Sequence, residues 1–204
     1  MKNNKNNPNQ LPEGIFVARL SFYNSFAIYL NSYERAVEII FEKVASRTET
    51  PDVVVAPLFF LMRHSLELGY KYTLSELHYL NDMDYHSMKF KTHSLKFLHA
   101  ELKKQFNKVA EKWSLSDEML QDFAEHYKRT QEGMEQFDNL DSSSSRFRYP
   151  TDIKGNPVFS SEETVNLLKL KQLYDDSMVL LRHTADVLSP AYEMLDEYRN
   201  NMRC

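Results

Sequence analysis

The chain has 204 residues, of which 42% are apolar and 26% charged, with a net charge of −4, a composition close to the globular average. Four Gly and seven Pro are few for a sandwich, a barrel or a disordered chain, and a single Cys at the last position excludes a disulfide scaffold and a Cys-based zinc module. No uninterrupted apolar run approaches the roughly 18 to 20 residues of a membrane span, and the Asn-rich start lacks the apolar region of a signal peptide; both predict a cytoplasmic protein in a reducing compartment, with no membrane partner.

Residues 1–12 carry no periodic apolar signal and two prolines, which predicts a disordered tail ahead of a single domain over 13–204. From Gly14 to about Ser46 apolar side chains recur at helical spacing (Phe16, Leu20, Tyr23, Phe26, Leu30, Tyr33, Val37), predicting one long helix stopped by Pro51. A second helix is expected from near Pro57 to Leu80, with proline tolerated in its first turn. Val53 to Val55 could form a strand, but no parallel strand exists to pair with it.

Asn81 to His93 is a polar connection. Ser94 or Thr92 caps a third helix striped by Leu95, Leu98, Leu102, Phe106 and Val109, and Ser116 opens a fourth carrying Met119, Phe123, Tyr127, Met134 and Phe137. Between Asp138 and Ser161 the helical period disappears, and a flexible link leads into a short extended pair around Lys154-Gly155-Asn156. Ser160 with Glu163 has the spacing of a capping box, predicting a last long helix from Glu162 to Leu188. Ser189-Pro190 either kinks it or starts a terminal helix. The predicted architecture is an all-α antiparallel bundle of five or six helices with one irregular insertion near 138–161.

Charge is unevenly spread. Between His86 and Lys112 stand seven Lys against Glu101 and Glu111, a local +5 that leaves −9 for the rest. Such a segment is either a phosphate-facing surface or the solvated side of a helix. Winding the second helix at about 100° per residue puts Arg63, His64, Glu67, Lys71 and His78 within one arc roughly 100° wide. The rest of the turn is mostly apolar or small, so this arc is either the face left to water or a site enclosed by the bundle.

In Arg146-Phe147-Arg148-Tyr149-Pro150, extended geometry would send both guanidiniums to one side and both rings to the other. Rings anchored in the core would then present an arginine pair suited to phosphate or carboxylate. Alternatively, the arginines neutralise Asp138, Asp141 and Asp152. His93, ahead of the third helix, is a cap feature, a packing residue or an acid/base group. No HExxH and no His-x3-His pair occurs, nor any Walker, Rossmann or Gly-x-Ser-x-Gly motif, so neither metal nor cofactor is expected.

The segments LMRHSLELGYKYTL, THSLKFLHAELKK, SSSSRFRYPTD and LYDDSMVLLRHTADVL, in that order over about Pro57 to Leu188, resemble the HEPN superfamily of helical domains. The resemblance implies an antiparallel bundle of four or five helices that often dimerises, and a place in prokaryotic toxin, anti-phage defence or RNA-processing systems, with RNA or a nucleotide as ligand and a protein of the same system as a partner. Active HEPN ribonucleases carry an Arg followed four to six residues later by His, which promote attack of the RNA 2′-OH without metal. That spacing is absent here: Arg63-His64 and Arg182-His183 are adjacent. Any chemistry would have to use a set assembled in space. Arg63, His64, Glu67 and His93 are the catalytic candidates, and Lys71, Arg146, Arg148 and Tyr149 the ligand-binding ones, with Arg63 and Arg148 holding phosphate, His64 or His93 moving protons, and Glu67 and Lys71 orienting and neutralising the set. The competing expectation is a non-catalytic homodimeric interaction module in which the same polar cluster fastens the insertion to the bundle.

Overall fold

A computed structural model describes residues 17–22, 25–81, 91–141 and 144–201 of the chain. The expected tail over 1–12 lies outside the described residues, as does most of the polar connection after Asn81. Among the described residues, six α-helices follow a 3-10 turn at Leu20–Phe22: α1 Phe26–Ala45, α2 Pro51–Leu80, α3 Leu95–Lys112, α4 Asp117–Leu140, α5 Leu167–Val187 and α6 Ser189–Asn201. No strand occurs among the described residues. The fold is the all-α antiparallel bundle that the periodicity predicts.

The N-termini follow from local chemistry. Ser25, Ser94, Ser116 and Asn166 each accept a hydrogen bond from the amide three residues on, satisfying donors that a helix leaves orphaned. Asp117 and Glu118 add negative charge to the first turn of α4, where it complements the helix dipole. Between α1 and α2 the chain reverses through Arg47 in the left-handed region (φ 59), which lets the Thr48 and Glu49 amides both donate to the Lys43 carbonyl.

Three boundaries differ from those expected. Helix α1 starts at Phe26, not near Gly14. Pro51 begins α2 instead of merely ending what precedes it, because a first-turn residue needs no amide donor. Val53 to Val55 are therefore helical, and Pro57 falls inside the helix. Pro57 withdraws a donor only from the carbonyl of Val53, a residue that is 68% exposed. Finally, Ser160 and Glu163 do make a reciprocal turn, with the Glu163 carboxylate accepting from the Ser160 amide at 3.4 Å and the Glu163 amide donating to the Ser160 carbonyl. The helix, however, waits for Asn166. Pro190 sits in the first turn of α6, the second of the two outcomes expected there.

Helix α2 is the axis of the bundle and packs against α1, α3, α5 and α6. It is long and apolar enough to cross a bilayer by length and composition alone, with a mean hydropathy of 1.2 over its most apolar window. Its buried side chains, Leu58, Phe59, Met62, Leu66, Tyr70, Leu74 and Leu77, account for that composition, since they form the centre of the core. Gly69 allows a close approach: a Cβ there would lie 2.7 Å from Leu181 Cδ1 of α5. Stacked rings complete the core, Phe106 on Phe123 at 3.6 Å and Phe59 on Phe147 at 3.9 Å. The second pair carries weight for the site, because Phe147 belongs to the insertion and pins it to α2.

Candidate functional site

The polar arc of α2 faces inward. Arg63 and Glu67 are 1% and 2% exposed, and Lys71 is buried beside them. This decides between the two readings of the arc in favour of enclosure. Burying charge is costly unless it is paired and hydrogen-bonded, and the pairing here is dense. The Glu67 carboxylate accepts from Lys71 Nζ at 2.6 Å and lies 3.0 and 3.1 Å from His93 Nδ1. Arg63 Nη1 stands 3.7 Å from the same carboxylate. Burial alone would raise the Glu67 pKa, but the Lys71 hydrogen bond and charge, joined by those of His93, bring it below the ordinary carboxylate value.

Two of the three guanidinium nitrogens of Arg63 donate to backbone, while Nη1 is buried without a hydrogen-bond partner. Its Nε donates to the Asp141 carbonyl at 2.8 Å and its Nη2 to the His93 carbonyl at 2.6 Å. Desolvation lowers its pKa from the ordinary arginine value, opposed by the charges of Asp141, Glu67 and Asp138, and the guanidinium stays cationic. The expected phosphate-holding role of Arg63 does not suit this geometry, since a side chain this buried has no face toward a ligand. It ties α2 to the end of α4 and to the segment entering α3.

His93 is placed differently. Its ring is fixed at Nδ1 by the buried Glu67 carboxylate, yet its side chain is 61% exposed. The adjoining Ser94 caps α3 and donates to Asp138 Oδ2, while Asp138 Oδ1 accepts from the Leu95 amide at 3.2 Å. The exposed imidazole thus rests on three anchors: Glu67 at the ring, Arg63 at its carbonyl and Asp138 at the residues that follow.

His64 points elsewhere on the helix. It is half-buried, edge-on to the Tyr33 ring of α1 at 4.6 Å and parallel to the Phe60 ring at 5.7 Å. Burial lowers its pKa, so it stays neutral at pH 7, and its contacts are those of a packing residue.

The insertion corrects the expectation of an arginine pair. Residues 146–148 form a turn closed by the Arg148 amide on the Ser145 carbonyl at 3.0 Å, not an extended strand, so the two guanidiniums diverge. Arg146 is a structural tie: its nitrogens donate to the carbonyls of Val158 and Leu140 and to the Glu163 carboxylate, and it lies over the Phe159 ring at 4.6 Å. Arg148 is exposed, its guanidinium 5.8 Å above Phe60 and 5.6 Å from Tyr149. Of the two rings expected in the core, Phe147 is buried and Tyr149 is 60% exposed. Tyr149 also lines an open groove of about 690 Å³ between the end of α4 and the insertion, with Asp141, Ser145 and Arg146 on its walls. The extended pair around Gly155 is a small turn with a single bridge between Thr151 and Pro157; Gly155 takes φ +84 and Asp152 accepts from the amides of Lys154 and Asn156.

Of the eight site residues named from sequence, Arg63, Glu67, Lys71 and His93 form one connected cluster. Arg148 lies close enough to oppose the Arg63 charge, His64 feels the charges of the cluster but packs its ring against Tyr33 and Phe60, and Arg146 serves the insertion. Sequence reasoning passed over Phe60, the platform under Arg148, and the backbone acceptors at Asp141 and His93; no side-chain pattern marks a carbonyl as an acceptor. In the basic segment, Lys104 pairs with Glu101, Lys112 donates to the Leu80 carbonyl and Lys103 lies over the Tyr127 ring, whereas Lys91, Lys96 and Lys108 are exposed. No family model, curated protein or solved structure matches the chain.

Proposed function

We propose that this chain is a HEPN-like helical domain of a prokaryotic defence or toxin-related system that binds RNA or a nucleotide at the surface around His93. The observation that carries this reading is an exposed imidazole held by a buried carboxylate, with Glu67 on Nδ1 at 3.0 Å and the ring 61% open. A carboxylate that fixes one ring nitrogen leaves the other available to a ligand, the arrangement of an oriented acid/base or hydrogen-bonding histidine. Arg148 on its aromatic platform supplies a cation for phosphate, and Tyr149 offers a ring for base stacking. Arg63 and Lys71 act from behind: they neutralise and position Glu67, and the ligand touches neither.

The second reading, a non-catalytic homodimeric interaction module, is favoured by the way Arg63 ties two backbone carbonyls, as a fastening would. Binding of a labelled single-stranded RNA and of a nucleotide to the purified chain, followed by cleavage with chelator present, separates the two. The RNA reading expects binding that weakens with salt and is lost in His93→Ala and Arg148→Ala, with Arg148→Ala, whose side chain is exposed, keeping the wild-type melting temperature. Cleavage lost in His93→Ala would add ribonuclease activity to the binding. No binding by the wild type overturns the RNA reading, and a dimer by light scattering would then support the interaction module.

A further inference from the structure

A second cluster sits at the other end of α4. Asp122 and His126 occupy i and i+4 positions on α4, and His183 faces them from α5. One ligand atom from each lies within 4.8 Å of the other two. His183 Nε2 is 2.7 Å from Asp122 Oδ2, and His126 Nε2 is 3.8 Å from Asp122 Oδ1. Asp122 and Asp138 are separated by about 24 Å of helix at 1.5 Å per residue, so this cluster is independent of the His93 surface.

Three features distinguish it from a surface ion pair. His183 Nε2 is buried and makes no hydrogen bond, although the Asp122 carboxylate is 2.7 Å away: the contact is out of line for an N–H···O bond. Hydrogen-bonded partners aim at each other, whereas metal ligands aim at a common third point. Next, the two imidazoles approach to 4.5 Å between centroids at a 44° tilt, a geometry that neither stacks the rings nor links them by a proton. Finally, the separations of 2.7 and 3.8 Å bracket the roughly 3.3 Å between ligand atoms in a tetrahedron with bonds of about 2.0 to 2.1 Å, so small side-chain rotations complete it.

We propose that Asp122, His126 and His183 bind a divalent transition-metal ion of the zinc class. Two imidazoles and a carboxylate suit Zn²⁺, Co²⁺ or Ni²⁺ and disfavour Mg²⁺ and Ca²⁺, which take oxygen ligands. Three protein ligands leave a fourth position for water, as in open zinc sites. The ligands span α4 and α5, so the ion cross-links these helices and stabilises the bundle by linkage. Neither an HExxH nor a His-x3-His pattern marks the site because its helical pair is Asp-x3-His and its third ligand comes from another helix.

The test uses the full chain as Cys204→Ser, which removes its one thiol, titrated with ZnCl2 in competition with a chromophoric chelator and, separately, with CoCl2 followed by visible absorption. The expected result is one saturable site, Co²⁺ bands in the tetrahedral or five-coordinate range, a higher melting temperature with Zn²⁺ and no competition by MgCl2. His183→Ala and Asp122→Asn should each weaken Zn²⁺ at least tenfold, with folding checked by circular dichroism; His126→Gln, on a partly exposed side chain, gives the same information if His183→Ala does not fold. Absence of saturable binding up to about 0.1 mM, an affinity of only some 5 kcal/mol, or binding that none of the three substitutions changes, overturns the proposal.

Discussion

Arg63 donates from Nη2 to the backbone carbonyl of His93 at 2.6 Å, and one helical turn further on Glu67 holds the ring of that same histidine. Two buried α2 side chains thus fix both the main chain and the side chain of one exposed residue. Removing Arg63 strips donors from two carbonyls and leaves Glu67 balanced by Lys71 and His93 alone. Arg63→Met should therefore destabilise the fold by about 3 kcal/mol, the cost of breaking a buried charged network at one member. Arg63→Lys should recover only part of this, since a point-charge ammonium cannot span the carbonyls of Asp141 and His93 in a planar fork. Urea denaturation of the three proteins measures the difference, and a loss below about 0.5 kcal/mol, the scale of an ordinary surface substitution, would contradict the network's role.

Glu67 gives that network an acid signature. Its pKa is lowered in the folded chain from 4.5, so the folded state favours the ionised form. Its contribution to stability is full above the ordinary value and is lost as pH falls below it, through the folded pKa. Glu67→Gln should be less stable than wild type at pH 7, because Lys71 is then buried without its counter-charge, and the gap should narrow below about pH 4. Urea midpoints across that range measure it; a gap that stays constant would show that the carboxylate charge is not what stabilises the cluster.

Arg146 and Arg148, two residues apart, should behave as opposites. Arg146→Ala removes the ties to Val158, Leu140 and Glu163 and should raise amide exchange across 144–163 at least tenfold. Melting of the helices should move little, since the insertion is anchored separately by Phe147. Arg148→Ala should leave exchange and melting alone and reduce only ligand affinity. Hydrogen exchange by mass spectrometry on both variants distinguishes them, and equal protection in the insertion would deny Arg146 its structural part.

The bundle was legible because apolar spacing and serine caps act locally: Ser94 and Ser116 open α3 and α4 where their side chains can reach an amide three residues on. The arc of Arg63, Glu67 and Lys71 was legible for the same reason, as helical geometry alone puts those side chains on one face. What local spacing cannot carry is the partner. Arg63 bonds carbonyls 30 and 78 positions away, and His183 meets Asp122 across two helices. Pro51 shows a related ambiguity, since one residue both stops a helix before it and starts one after it, and only tertiary packing decides where each begins. Arg146 to Tyr149 depart from the extended expectation because alternation of side chains does not report a turn, here closed by the Arg148 amide on the Ser145 carbonyl with Phe147 stacked on Phe59.

Burial of His99 makes a separate, stability-linked prediction. Its ring stacks on Tyr127 at 4.0 Å and its Nδ1 meets the Tyr70 hydroxyl at 2.9 Å. With that hydroxyl donating to Nδ1, the ring proton sits on Nε2, which is buried without a hydrogen-bond partner. Desolvation, aided by the Lys103 charge, pushes the His99 pKa down from 6.5 to about 4. Between those values the unfolded chain binds a proton at this site that the folded chain refuses. Stability from His99 is thus complete above pH 6.5, declines as pH falls and is fully lost below about 4, for a total of about 3 kcal/mol. His64 and His78 are displaced in the same direction by burial, so the informative quantity is a difference between proteins. His99→Phe keeps the stacking on Tyr127 and removes the titration, at the cost of leaving the Tyr70 hydroxyl without its acceptor. It should be less stable than wild type at pH 7 and should lose less stability between pH 7 and pH 4, so that the two curves converge on acidification. Parallel curves would mean that His99 accepts its proton in the folded state as readily as in the unfolded one.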